Sequence, residues 1–243
     1  MAVSKGPEEK RCPSGIDGLD RIIGGGFPTG GLIHVAGNYG SGKTSMAVEF
    51  IIRGAAIGRK GMYISTTQAP QDVLEGIIRL DVFDEKLVKD KTIRIVGIDD
   101  LMESLSHATR PIDRNGAMEL LSEIEALIEK NKIERMVIDP ITPVLSDMEP
   151  SAARDFLKKL GEVMHKRRCT SIVTTDIQKG SFISPLPCDG AILLDNVERH
   201  GDILRVLQVL KMAGTSHSRS RYVFDITSCG ILMTPLLRGG IGP

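Results

Sequence analysis

Tryptophan is absent from the sequence, and six Phe and three Tyr bring the aromatic share to only 4%. A groove that holds single-stranded nucleic acid by base stacking needs more rings than that, so this class of binder is poorly supported. An excess of either charge is also missing. Lys plus Arg and Asp plus Glu both number 31, so nothing global advertises a polyanionic partner or an anionic membrane, although a local patch stays open. No run approaches the ~20 apolar residues of a membrane span, and the opening MAVSKGPEEKR lacks the apolar segment of a secretory signal. No membrane association and a cytoplasmic location are therefore expected. Cysteine is sparse. Cys12, Cys169, Cys188 and Cys229 make no CxxC pair, and the five histidines form no HExxH-type metal signature. Reduced, mostly buried thiols are expected, with His165, in HKRR, on a solvated helix end.

A hydrophobic content of 41% over 243 residues supports one ordinary core, so residues 1–243 are read as a single domain with 1–13 as a flexible N-terminal segment. No internal repeat or linker divides the chain. GLIHVAG (31–37) reads as a strand, and the segment from Gly42 through Gly58 carries Ala47, Phe50, Ile51 and Ala55 on one helical stripe. GMYIST is a second strand, and Pro70 opens a second helix with Val73, Leu74, Ile77 and Ile78 predicted to face inward. TIRIVGI is a third strand. The most regular helix covers 117–130, with Leu120, Leu121, Ile124, Leu127 and Ile128 on its apolar face. It leads to RMVIDP, whose unbroken apolar run predicts a strand covered on both faces. A further helix with Phe156, Leu157, Leu160, Val163 and Met164 on one side precedes the strand CTSIVTTD. Strands alternating with helices predict an α/β fold with a mainly parallel sheet flanked by helices. From Ala191 onward AILLDN, DILRVLQVLKM, RYVFDI and GILMTP follow one another without helices, so antiparallel strands extending the same sheet are expected.

The chemistry-bearing motif is GNYGSGKT (37–44), which meets GxxxxGK[ST] at every fixed position between a predicted strand and a predicted helix. Asn38, Tyr39, Gly40, Ser41, Gly42, Lys43, Thr44 and Ser45 are accordingly the candidate phosphate-binding residues. Glycines let backbone N–H groups turn onto phosphate oxygens, Lys43 neutralises the β and γ phosphates, and the Thr44 hydroxyl is available to Mg²⁺. Asp139, ending the strand MVID, is the candidate to hold the same ion through water. Thr174, Thr175 and Asp176 end the next strand on the same sheet edge, where they either sense a γ-phosphate or begin a loop.

SGIDGLDRIIGGGFPTG before the phosphate loop, the loop itself, APQD after the second strand and KMAGTSHS near the end together resemble the KaiC-like branch of the RecA superfamily, in its archaeal single-domain form. The resemblance runs from about Ser14 to Gly230. It implies a RecA-like P-loop core that binds ATP or ADP with Mg²⁺ and assembles as a homo-oligomer, often a hexameric ring. In such rings the KMRGTSH-type hairpin of one subunit reaches the nucleotide of its neighbour, which assigns Lys211, Gly214, Thr215, Ser216 and His217 as binding residues in trans. The histidine is alternatively a solvated turn residue.

Two departures stand out against that pattern. Where KaiC-like ATPases read FEETPQD, with glutamates that activate water, Thr67 and Gln68 occupy the acidic positions, and Ala213 stands where the trans arginine is expected. Gln68 can orient a water but cannot accept its proton at neutral pH. Asp176, or Arg219 and Arg221 beyond the hairpin, are the candidates to compensate. The expected function is an ATP-binding regulatory or scaffold module with slow or absent hydrolysis and an unidentified protein partner. The alternative is an active ATPase of the KaiC/RadA type, a DNA recombination or repair accessory among them. Its DNA loops would be SDMEPSAAR (146–154) and residues 177–189, which together offer few basic side chains.

Overall fold

The computed structural model describes residues 11–105, 112–177, 187–199 and 201–234. At the start, β1 (Arg11–Cys12) pairs antiparallel with β2 (Phe27–Pro28), bracketing the one-turn helix α1 (Leu19–Ile22). Residues 1–10 of the N-terminal segment lie outside the described residues. The central strands are β3 (Leu32–Gly37), β4 (Gly61–Ser65), β5 (Ile93–Gly97), β6 (Arg135–Asp139) and β7 (Thr170–Asp176). They are followed by β8 (Gly190–Arg199), β9 (Asp202–Met212), β10 (Arg221–Thr227) and β11 (Gly230–Thr234). The helices between them are α2 (Lys43–Ala56), α3 (Pro70–Ile78), α4 (Lys86–Lys89), α5 (Ile98–Glu103), α6 (Arg114–Asn131), α7 (Thr142–Ser146) and α8 (Pro150–Arg167). Among the described residues these nine strands form one sheet in the order β11, β10, β9, β8, β3, β7, β6, β4, β5.

Each face of the sheet has its own core, because successive side chains of a strand point to opposite sides. Val137 of β6 joins Tyr63, Ile172, Ile33 and Val35 in the cluster under α2, while Met136 and Ile138 join Met62, Ile64 and Val173 under α6 and α8. All five residues of β6 are buried, as a strand covered twice requires. Each fully buried aliphatic or aromatic side chain contributes roughly 1.5–3 kcal/mol. Phe50 of α2 meets Phe27 edge to face, with centroids 5.6 Å apart at 69°. Helix ends follow local chemistry: Asp113 caps α6 by accepting from Gly116 N at 2.8 Å, and Lys132 closes it in the left-handed region at φ 56°.

The mainly parallel core with antiparallel C-terminal strands matches the expected fold class, and four details differ from expectation. The strand AILLDN, part of β8, lies parallel to β3 and antiparallel to β9, so the switch of direction comes one strand later than the loss of helices suggests. On α3, Val73 and Ile77 are buried, Leu74 is half-buried and Ile78 is 45% exposed, because the amphipathic face of this edge helix is narrow. The expected 146–154 loop shrinks to residues 147–149, since Pro150 opens α8 at its first turn. The thiols are all free, but only Cys169 is buried; Cys12 and Cys188 are half-buried and Cys229 is exposed.

Glu49 links the C-terminal strands to the site. Its buried carboxylate on α2 accepts from Ile231 N at 2.6 Å and from Arg53 Nε at 3.2 Å, and burial pushes its titration upward. Gly230, at φ 111°, is required there: a Cβ would collide with the Glu49 carboxylate. The helix that carries Lys43 is thereby tied to the β10–β11 turn.

Candidate functional site

The chain leaves β3 at Gly37, turns through Gly40 and Gly42 at φ 72° and 98°, and enters α2 at Lys43. Side chains disfavour both φ values, and a Cβ on Gly37 would lie 2.5 Å from Leu194 O and Ser41 Oγ. The turn leaves the unpaired amides at the start of α2 facing a cleft, the arrangement that receives anions. The cleft holds about 420 Å³ and lies at the carboxyl ends of β3, β4, β6 and β7, where open α/β sheets take ligands.

Tyr39, Gly40, Gly42, Lys43, Thr44, Ser45, Thr67, Gln68, Asp139 and Asp176 all line this cleft. Two candidates of the loop do not. Asn38 turns its amide to Asp195 Oδ1 at 2.7 Å, and Ser41 is buried with its Oγ lacking any hydrogen-bond partner. Lys43, nearly buried, donates to Gly37 O at 3.0 Å and Asn38 O at 2.8 Å, and its Nζ stands 2.9 Å from Asp176 Oδ1. Asp176 is 57% exposed, so this pair is buried on one side only.

Asp139 is buried at the end of β6, where it accepts from the Tyr63 hydroxyl and from Thr174 Oγ1. Burial, reinforced by the negative Asp139, pushes the Tyr63 hydroxyl well above its ordinary range, so it stays a donor. Thr66 Oγ1 donates to Pro140 O at 2.6 Å, and Ser65 Oγ donates to Gln68 O at 2.8 Å. These bonds bend the chain after β4 so that Thr67 and Gln68 overhang the cleft. Thr174 thus serves Asp139, and neighbouring Thr175 bonds the buried His34 ring at 2.7 Å. Burial lowers the His34 pKa to about 4, leaving the ring neutral.

Within one chain the hairpin residues lie elsewhere. None of Lys211, Gly214, Thr215, Ser216 and His217 lines the cleft. Lys211 Nζ donates to Cys188 O at 2.5 Å, Gly214 O accepts from Arg11 at the same distance, and both His217 ring nitrogens are enclosed without a partner. Arg219 and Arg221 are exposed, and Arg221 approaches Gln208 Oε1 at 3.4 Å rather than the cleft. The arginine that does line it is Arg205 of β9, whose Nε is 3.4 Å from Gly40 O. No local signal marks Arg205, because only the β8–β9 register brings it beside the loop. A second cavity of about 190 Å³ shares Thr44, Ser45, Gln68 and Ile226 with the cleft and is walled by Val48, Val73, Ile77, Leu80 and Ile231. Residues 178–186, most of the second proposed DNA loop, lie outside the described residues. Among the described residues no three His, Cys, Asp or Glu cluster as a metal site, and no helix is long and apolar enough to cross a membrane.

Comparison with known proteins agrees with this geometry. The sequence profile of the family described as "ATPase: KaiC" matches residues 12–238. A UPF0273 protein of Thermotoga maritima is 32% identical, covering 96% of this chain and 99% of its own. The circadian clock protein KaiC2 of Synechocystis is 27% identical, covering 93% of this chain but 40% of its own length. The crystal structure of a KaiC-like protein from the archaeon Pyrococcus horikoshii superposes with a TM-score of 0.78 at 28% identity, covering 93% of this chain and 99% of that one. The chain therefore belongs to the KaiC ATPase family, a membership that implies nucleotide binding.

Proposed function

We propose that this chain is an ATP- or ADP-binding module of regulatory or scaffold type whose hydrolysis is very slow or absent. The observation that carries the reading is the chain bend after β4, where Thr67 and Gln68 overhang the cleft in place of carboxylates. A positioned base is typically worth about 10²–10⁴ in rate, which a glutamine cannot supply as a proton acceptor. The two carboxylates that do line the cleft are engaged, Asp139 with Tyr63 and Thr174, and Asp176 with Lys43.

The donors suit the ligand. The loop amides and Lys43 hold phosphates. The apolar cavity beside Thr44 and Ser45 accommodates part of a base. The Thr44 hydroxyl and Asp139 carboxylate would hold Mg²⁺, which keeps most of its waters and takes phosphate oxygens; when bound, the ion neutralises phosphate charge. We assign Lys211, Gly214, Thr215, Ser216 and His217 to a neighbouring copy's nucleotide in a homo-oligomeric ring. A nucleotide contacted from both sides favours the assembled state, because Lys211 reaches it only there. With Ala213 in the arginine position the neighbour's hairpin lacks a group worth about 10³–10⁵ in related hydrolases.

Gln68→Glu, alone and combined with Ala213→Arg, tests this reading by single-turnover phosphate release. A gain of at least about 10²-fold in the double variant is expected. An unchanged rate in both variants, with steady turnover in the unmodified protein, overturns it. One observation favours an active ATPase instead: Asp176 is largely exposed beside Lys43 and could take a proton from water. In that case Asp176→Asn abolishes turnover.

A further inference from the structure

The parallel strands begin on the edge of the sheet opposite the nucleotide cleft, and each of four neighbours, β7, β6, β4 and β5, is entered through an exposed basic residue: Arg168, Lys132, Lys60 and Lys91. Lys91, Lys132 and Arg168, at φ 57°, 56° and 53°, are the non-glycine residues in the left-handed region among the described residues. That region disfavours side chains, is enriched in Asn and Asp rather than in Lys or Arg, and at helix ends is usually filled by Gly. The helix dipoles do not demand these cations, because the last turns of α4, α6 and α8 already carry Lys89, Lys130 and Arg167. The backbone beneath the four is fixed by bonds from loop to loop. Gly61 N donates to Thr92 O at 2.8 Å, Glu134 N and Arg135 N to Lys60 O at 2.9 and 3.1 Å, and Thr170 N to Glu134 O at 2.9 Å.

None of the four forms an ion pair among the described residues, whereas most cations around them do. Arg59 pairs with Glu134 at 2.6 Å, Lys89 with Glu85 at 3.0 Å, Lys166 with Glu125 at 2.8 Å, and Arg167 with Glu125 and Glu129 at 2.9 and 2.7 Å. Asp189 pairs with His165 at 3.1 Å, and Asp20 acts on the buried Arg135, so both carboxylates are answered away from the row. In the loops that carry the row, the other unpaired groups are Lys130 and Asp90. The carboxyl ends of α2, α6 and α8 each add about half a negative charge, which leaves roughly two to three positive charges at this edge. The even total of 31 basic and 31 acidic residues hides this local excess.

We propose that this edge binds the phosphate backbone of a nucleic-acid duplex without reading its bases, through Lys60, Lys91, Lys132 and Arg168. Adjacent strands lie about 4.8 Å apart, so the four residues span about 15 Å, over which one strand of B-form DNA presents about four phosphates. What the edge lacks points the same way. The exposed aromatic side chain among the described residues, Tyr39, stands in the phosphate loop, so stacking of single-stranded bases is not available here. Ile57 is the only exposed large apolar side chain in the loops that carry the row, too little for the apolar centre of a protein interface.

Titration of the full-length protein into a fluorescein-labelled, mixed-sequence DNA duplex of about 20 base pairs, followed by anisotropy, should give a log–log salt slope of about −3, or a loss of roughly 50-fold in affinity between about 50 and 200 mM salt. Lys91→Gly, Lys132→Gly and Arg168→Gly combined remove three cations while relieving three left-handed residues. This variant should keep or raise Tm, bind at least about tenfold more weakly at about 50 mM salt and lose most of the slope, a pattern that misfolding cannot imitate. Lys60→Gln alone should lower the slope by about one. An RNA duplex of the same length, titrated in parallel, distinguishes the two nucleic acids. No binding at low salt, or binding that the triple variant retains, overturns the proposal. So does a changed sedimentation coefficient of the DNA-free triple variant, which would assign the row to contact with a second copy of the chain.

Discussion

Lys43 and Asp176 form the one ion pair inside the nucleotide cleft among the described residues, and it has to yield when phosphate arrives. A phosphate oxygen bonded to Lys43 Nζ would lie about 4–5 Å from the Asp176 carboxylate, given the 2.9 Å already separating that carboxylate from Nζ. Two unit charges about 5 Å apart repel by roughly 3 kcal/mol at an effective dielectric of about 20 and by under about 1 kcal/mol in water. Asp176 is 57% exposed, which moves the figure toward the water end, to about 1–2 kcal/mol. Asp176→Asn keeps the shape and removes the repulsion, so nucleotide should bind about 5- to 30-fold more tightly, with the gain shrinking as salt rises. Titration with a fluorescent ATP analogue, at low and at physiological ionic strength, measures this directly. Unchanged or weaker binding would refute the reasoning and mean that Asp176 supports the phosphates through Lys43 rather than opposing them.

Two further outcomes follow from buried groups and a third from an exposed helix terminus. The folded state resists protonation of His34, whose pKa falls from 6.5 to about 4, while the unfolded chain takes up the proton. Its contribution is therefore complete above about pH 6.5 and lost as the pH falls toward about 4, with a slope of about 1.4 kcal/mol per pH unit; urea unfolding of His34→Gln across that window should lack this slope. Tyr63→Phe removes the hydroxyl that Asp139 accepts from and should cost about 1.5–3 kcal/mol in denaturant unfolding, with unchanged stability contradicting the bond. Lys132→Gly relieves a left-handed helix terminus at φ 56° and should stabilise by about 0.5–1 kcal/mol, seen as a raised unfolding midpoint.

The parts of the fold legible in the sequence were those fixed by local periodicity. The buried run of β6, the apolar faces of α6 and α8 and the Gly-Lys-Thr turn each follow from spacing alone, and the structure has them at those positions. What spacing could not supply was register. The direction of β8, the arrival of Arg205 beside Gly40 and the closure of an apolar cavity between α2, α3 and the β10–β11 turn depend on pairings across the sheet. The arginines at the amino edge were equally invisible. Arg11, Arg59, Arg135 and Arg168 are scattered in sequence among ordinary charged neighbours, and only Gly54, by admitting Arg135 along α2, brings a guanidinium under the helix. Short helices such as α5 and α7 escaped for a related reason, since too few residues carry a period.

The most direct test of slow or absent hydrolysis is to incubate the purified protein with Mg-ATP and quantify bound nucleotide and released phosphate in the same sample, with Lys43→Ala as the blank. Stoichiometric binding with phosphate release no greater than the blank is the predicted result. Steady turnover above the blank would contradict it and move Gln68 or Asp176 from bystander to working catalytic group.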